Sequence, residues 1–230
     1  SNTFYLHDGH FHYSVLQAAD ITLYEVETPA AFEDIDGHWA KDAIEFVAAE
    51  GLFNGTGNDK FSPNAPMTRD MIVTVLWRLD GEPKADEPAS FTDIAADKWY
   101  ADAVAWGQAN DIVNGIGHNL FAPGQEVTRE QIAAMLYRYA KFKGYDVSVG
   151  EDTNILSYAD AFDWSEYAVA SLQWAVGAGI LQGMDGGRLD ARGTLTQAQT
   201  FTMLERFDHL GRTLSLWTDD APAKTALTAY

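Results

Sequence analysis

One order of motifs is written three times in this chain, and the third copy is imperfect. Phe32-Glu33-Asp34-Ile35 with Trp39-Ala40, Gly51-Leu52-Phe53-Asn54-Gly55-Thr56-Gly57, Phe61-Ser62-Pro63 and Met67-Thr68-Arg69-Asp70 form the first copy. The second runs Phe91-Thr92-Asp93-Ile94 with Trp99-Tyr100, Asn110 to Gly117, Phe121-Ala122-Pro123 and Val127-Thr128-Arg129-Glu130. The third runs Tyr158-Ala159-Asp160 with Tyr167-Ala168, Gly179-Ile180-Leu181-Gln182-Gly183, Leu189-Asp190-Ala191 and Leu195-Thr196-Gln197-Ala198. From position 32 to 91 and from 91 to 158 the opening aromatics are 59 and 67 residues apart. Units of this size are single supersecondary elements that need their neighbours to bury a core. The chain is therefore an assembly of repeats.

Within a unit, the first segment has helical spacing. Trp39, Ala43, Phe46 and Val47 share one face, as do Trp99, Ala103 and Trp106, and then Tyr167, Ser171 and Trp174. Gly51 and Gly179 stand where a helix ends in a left-handed residue, and Asn110 is expected to do that job in the middle unit. A Gly-rich loop follows, pinned by Phe61 with Pro63 and by Phe121 with Pro123; Leu189 and Ala191 replace them in the third unit, whose loop is expected to be less rigid. Thr68, Thr128 and Thr196 are placed to cap a second helix. Thr128 with Gln131 and Thr196 with Gln199 complete capping boxes, whereas Thr68 faces Met71 and does not. The second helix buries Ile72, Val75, Leu76 and Leu79 in the first unit, Ile132, Met135, Leu136 and Tyr139 in the second, and Met203, Leu204 and Phe207 in the third. Helix, Gly-rich loop, helix, three times over, predicts a mainly α fold.

The expected organisation is a β-rich extension or domain tail at 1–31, repeats at 32–90, 91–157 and 158–210, and a carboxyl tail at 211–230. The extension carries an Asp8-Gly9 hairpin signal and a third strand pattern at 21–27. The tail holds Leu214, Leu216 and Trp217 and could pack back on the bundle. The chain opens at Ser1-Asn2 without Met, so an export signal and a cargo domain are expected upstream.

Composition removes several classes of function. Thirty-four acidic against fifteen basic residues give a formal charge of −19, with no basic stripe to displace counterions from phosphates, which argues against nucleic acid. No apolar run approaches the roughly 18 residues of a membrane span, so no membrane insertion is expected. Without cysteine there are no disulfides and no thiolate zinc sites.

One residue type sits against its electrostatics. Arg69 and Arg129 occupy the first helical position, where the macrodipole is positive and a cation costs roughly 0.3–1 kcal/mol unless compensated. Asp70 and Glu130 stand next to them and offer compensation by a salt bridge. Alternatively, free backbone N–H groups and a guanidinium at one helix start form a small site for a carboxylate. The third unit has Gln197 there and lacks the charge. Arg78, Arg138 and Arg206 recur in register ten residues after the cap and read as structural.

These motifs, in this order and in tandem over about residues 32–207, resemble the S-layer homology domain. The resemblance implies three helix-loop-helix repeats in a pseudo-threefold prism. It also implies a secreted protein held without covalent bonds on the bacterial cell wall or S-layer, through a secondary cell-wall polysaccharide. Binding in that family is typically to a pyruvate-ketal sugar in grooves between repeats, whose carboxylate would here meet Arg69 and Arg129. Further groove residues by the same resemblance are Asp34, Asp93 and Asp160, the wall aromatics Trp39 and Trp99, and the loop glycines Gly55, Gly57, Gly115 and Gly117. Each has a plain structural alternative: core packing for the tryptophans, turn geometry for the glycines, and helix capping or an arginine contact for the acids. Gln197, Leu189 and Ala191 depart from the pattern and imply at most two competent grooves.

Competing readings are weaker. No motif pairs a catalytic acid and base, so no enzyme activity and no cofactor are expected. Asp34-Ile35-Asp36-Gly37 lacks the remaining acids of a twelve-residue calcium loop. His7, His10 and His12 are an incidental cluster rather than a metal site. A helical scaffold for protein–protein assembly shares the architecture without the glycan.

Overall fold

The computed structural model describes residues 5–7, 10–12, 32–148, 150 and 152–219. Two short antiparallel strands, β1 (Tyr5–His7) and β2 (His10–His12), pair with Tyr5 opposite His12. Asp8-Gly9 and the third expected strand lie outside the described residues. Six helices follow: α1 (Lys41–Ala49), α2 (Arg69–Leu79), α3 (Ala101–Ala109), α4 (Arg129–Phe142), α5 (Val169–Gly177) and α6 (Gln197–Asp219). The fold is mainly α, two helices per repeat, and α6 runs straight through the expected boundary at 210.

The helices of one repeat do not pack mainly on each other. Each first helix lies against the second helix of the preceding repeat: α3 on α2, α5 on α4 and, closing a ring, α1 on α6. Ile44, Ile72, Leu76, Val104, Ile132, Leu136, Leu172, Leu204 and Phe207 form one buried core between them. At the start of the second helices the backbones of three repeats meet. The amide of Met67 donates to Leu195 O (2.9 Å), that of Leu195 to Val127 O (3.2 Å) and that of Val127 to Met67 O (2.9 Å). These residues are fully buried, and this closed triangle is the pseudo-threefold centre of the prism.

Local chemistry sets the helix ends. Both anticipated capping boxes form: Gln131 N and Gln199 N each donate to the cap hydroxyl at 3.3 Å, and the cap amides of Thr128 and Thr196 donate to the glutamine Oε1 atoms at 3.2 and 3.0 Å. Thr68 instead donates its hydroxyl to Asp70. Gly51 (φ 68°) and Gly179 (φ 74°) are left-handed as expected. In the middle repeat that residue is Asp111 (φ 56°), not Asn110, which stays at φ −105° as the cap residue. A short polar side chain tolerates this conformation, so Asp111 serves one position later.

Trp39, Trp99 and Tyr167 are not on the core faces where helical spacing put them. They precede the first α-helical residue, Tyr167 within a 3-10 turn at Glu166–Ala168, the i to i+4 phase does not extend back to them, and they are 65%, 58% and 54% exposed. Their neighbours Ala40, Tyr100 and Ala168 are buried instead.

The opening acids hold the loops. Asp34 accepts from the amides of Phe61 and Ser62 (both 2.8 Å), Asp93 from Phe121 and Ala122 (2.9 and 2.7 Å), and Asp160 from Leu189 and Asp190 (2.8 and 2.7 Å). Ser62, Ala122 and Asp190 have φ of 63°, 59° and 53°, so the carboxylate stabilises a turn that side chains disfavour. The third loop carries the same staple despite its substitutions. Gly55 and Gly115 are required by close approach: a Cβ would fall 2.8 Å from the Phe32 ring and 2.9 Å from the Phe91 ring.

Replacing Asp93 by Ala strands two amides and removes two charge-assisted hydrogen bonds, a loss of about 3 kcal/mol or more in denaturant unfolding. Burial alone would raise the Asp160 carboxyl, but the amides of Leu189 and Asp190 outweigh it and hold its pKa below the usual carboxylate value. That contribution is complete above the unfolded pKa of about 3.9 and is lost as pH falls toward the native one. Asp160→Asn should therefore unfold with a shallower dependence on pH below 4 than the parent.

Candidate ligand grooves between the repeats

Arg69 and Arg129 bridge repeats through carbonyl groups. Arg69 donates Nε to Phe121 O (2.8 Å) and one terminal nitrogen to Asn114 O (2.7 Å), with its guanidinium 4.6 Å above the Phe121 ring. Arg129 does the same to Leu189 O (2.8 Å) and Gln182 O (2.6 Å). Both residues are buried, and burial presses their pKa values down without discharging them. The other terminal nitrogen of each has no protein acceptor among the described residues, yet is not one of the buried polar atoms lacking a partner. It therefore keeps a small contact with solvent, on residues that are 3% and 6% exposed.

The expected nest of free N–H groups at the helix start is absent. The amides of Arg69 and Asp70 donate to Gln125 O and Pro123 O, and those of Arg129 and Glu130 to Gly193 O and Ala191 O. Met71 N is taken by Asp70, and Gln131 N by Thr128. A neighbouring repeat uses the electropositive helix end, leaving only the guanidinium edge for a ligand. No salt bridge compensates either arginine among the described residues; the carbonyl oxygens do so. Arg69 and Arg129 thus have a structural reason to recur.

The second arginine set clamps the same loops from within each repeat. Arg78 donates to Leu52 O (3.0 Å), Arg138 to Ile112 O (3.5 Å) and Arg206 to Ile180 O (3.4 Å). Arg206 also reaches the Gln182 side chain at 3.4 Å, so Arg129 and Arg206 converge on one residue. Asp34, Asp93 and Asp160 point into the loops that the arginines grip. Gly55 and Gly115 pack against aromatics, while Gly57 (φ 93°) and Gly117 (φ 104°) turn the exposed tips, with open space where a side chain would stand.

The exposed aromatics complete the grooves, each from a third repeat. The Tyr167 phenol is within electrostatic reach of both Arg69 and Arg138. Burial, then the charge and hydrogen bond of Glu130, push its pKa up to about 12 against the pull of those arginines. In the threefold relation of the repeats, the counterparts of Tyr167, Arg69 and Arg138 are Trp39, Arg129 and Arg206, and then Trp99, Gln197 and Arg78.

The residue after the arginine then distinguishes the grooves. Glu130 accepts from Ser165 N (3.1 Å), Ser165 Oγ (2.7 Å) and Tyr167 Oη (3.2 Å), tying an acid to the phenol that lies within electrostatic reach of Arg69. Asp70 is one methylene shorter, its carboxylate makes no hydrogen bond to the second repeat among the described residues, and its pKa is raised by burial. The third repeat has Ala198 at the equivalent position and so lacks this acid. Sequence reasoning did not connect Tyr167 with Arg69, Arg138 and Glu130, nor Arg206 with Arg129 at Gln182. Their signal was present: the arginines keep register, and Tyr167 aligns with two tryptophans.

Residues 31–70, 90–133 and 157–201 match the S-layer homology domain family, and together these segments make up more than half of the chain. The chain belongs to that family. It is 29% identical to a surface-layer 125 kDa protein of Lysinibacillus sphaericus over 67% of this chain and 12% of that protein. It is 27% identical to an amylopullulanase of Thermoanaerobacterium thermosulfurigenes over 77% of this chain and 9% of the relative. It is 30% identical to a cellulosome-anchoring protein of Acetivibrio thermocellus over 44% and 22%. The chain thus spans about a tenth to a fifth of the length of these relatives. Family and relatives place it outside the cell, at the wall or S-layer. No helix among the described residues is long and apolar enough to cross a membrane.

Because Arg129 is bonded to two carbonyls of the next repeat, Arg129→Met should lower stability by about 3 kcal/mol, read as a shift of the urea midpoint. An unchanged midpoint would mean those carbonyls find other donors.

Proposed function

We propose that the repeats retain a secreted protein on the cell wall by binding a secondary wall polysaccharide in the grooves between them. The pyruvate-ketal carboxylate of that polymer is the ligand group, and no chemistry is performed on it. One observation carries this reading: Arg69 and Arg129 each spend two nitrogens on the fold and leave the third without a protein acceptor among the described residues, with the exposed Tyr167 within electrostatic reach of Arg69. A guanidinium held this rigidly loses little freedom on meeting a carboxylate. The exposed indole faces suit the C–H surface of a sugar ring.

The groove of Arg129, Arg206 and Trp39 is the strongest of the three. It has two guanidinium groups and an exposed tryptophan, and Ala198 stands where the other repeats carry Asp70 and Glu130, while Asp190 acts on Arg129 from the loop. Beside Arg69, by contrast, the Glu130 carboxylate competes with a ligand carboxylate, and at Gln197 the loop arginine is missing. The relatives that share these repeats include an amylopullulanase and a surface-layer protein, so such repeats serve to anchor different cargoes.

A scaffold for protein–protein assembly is the second reading, favoured by the structural use of both arginines. Retention on purified wall polysaccharide separates the two. Trp39→Ala should fold normally, because its ring is exposed, and weaken binding about tenfold, or about 1.4 kcal/mol. Trp99→Ala should change binding little. Removing the pyruvate from the polymer should weaken binding of the parent by a larger factor, and unchanged affinity there would rule out the carboxylate role.

A further inference from the structure

We propose that the junction between the third and first repeats holds a bound monovalent cation where the other two junctions hold an arginine guanidinium. The backbone register is the same in all three. Arg69 N, Arg129 N and Gln197 N donate to Gln125 O, Gly193 O and Ala65 O, and the next amides donate to Pro123 O, Ala191 O and Pro63 O. Arg69 and Arg129 each fill two carbonyl oxygens in that frame. Their counterparts in the third junction are Asn54 O and Phe61 O, for which no donor occurs among the described hydrogen bonds.

Gln197 adds a third acceptor. The residue is 1% exposed, and its Oε1 is buried without a partner. It leaves the backbone where the arginines do, so its oxygen lies along the path of the missing guanidinium. Gln197 Oε1 and Phe61 O are buried without a donor among the described residues, and the carbonyl of the exposed Asn54 stands at the counterpart of the second guanidinium contact. A hard cation can bind all three oxygens.

Charge and size narrow the ion. The equivalent positions each carry one positive charge, and electrostatic attraction from Asp93 and from Asp160 favours it there. Asp34 holds the same place in the first repeat through its bonds to Phe61 and Ser62. The Phe61 ring corresponds to the Phe121 ring that lies under Arg69. Phe201 packs against Phe53 and Phe61 at 5.0 and 5.4 Å, where the other repeats have Val73 and Ala133. It occupies room that a long side chain would need, and what is left suits a bare ion. The donor oxygens themselves are uncharged, which favours sodium or potassium over a divalent ion.

The test compares thermal midpoints of the intact chain in sodium, potassium or choline chloride at equal ionic strength, with Gln197→Met and Gln197→Arg alongside. The parent should be stabilised by sodium or potassium over choline by about 3 °C or more, and Gln197→Met should not respond. Gln197→Arg should also lose the response; if it does not fold, Gln197→Met carries the comparison. An equal response in parent and Gln197→Met would assign the effect to screening of the overall negative charge and overturn the proposal. No response in the parent, or a response to calcium alone, would overturn it as well. A crystal grown in rubidium chloride should show anomalous density beside Gln197 Oε1.

Discussion

Three backbone hydrogen bonds, passed from Met67 to Leu195, from Leu195 to Val127 and from Val127 to Met67, hold this prism in register. They are buried, so breaking one would leave an amide and a carbonyl with no water to replace the partner. Each also fixes where a second helix begins, and hence which loop faces its first turn. The grooves follow from that placement. A helix start aimed at the next repeat's loop brings the arginine, the stapled turn and the exposed aromatic of a third repeat together.

Every loop is consequently held from several directions. The opening acid takes the two amides of the turn, the arginine ten residues after the cap takes a carbonyl from within the repeat, and the preceding repeat reaches two more. In the third-to-first junction the last of these is missing and aromatic packing by Phe201 stands in its place. Two junctions are closed with charge-assisted bonds and one with apolar surface, so the three grooves differ in chemistry although the frame is common.

Much of this was legible in the sequence because it is local. Repeat number, two helices per repeat, both capping boxes and the left-handed Gly51 and Gly179 depend on neighbours within a few residues. Helical spacing misplaced Trp39 and Trp99, because periodicity does not say where a helix starts. The left-handed duty fell to Asp111 rather than Asn110, since composition alone does not order two adjacent tolerant residues. The role of Arg69 was visible as an anomaly but not as a solution. Its partners lie 45 and 52 residues away in another repeat, and those of Arg129, Gln182 and Leu189, lie 53 and 60 away, so no spacing rule joins them. The cyclic pairing of helices is hidden for the same reason.

Closure of α1 on α6 has a consequence for how such a unit can evolve. An open solenoid grows by adding turns, each docking on the last, and its stability rises with length. A ring of three has no free face on which a fourth copy could dock. Its repeats are therefore bound to one another as parts of a single cooperative body, and variation has to proceed by altering copies in place, as the change from arginine to Gln197 illustrates.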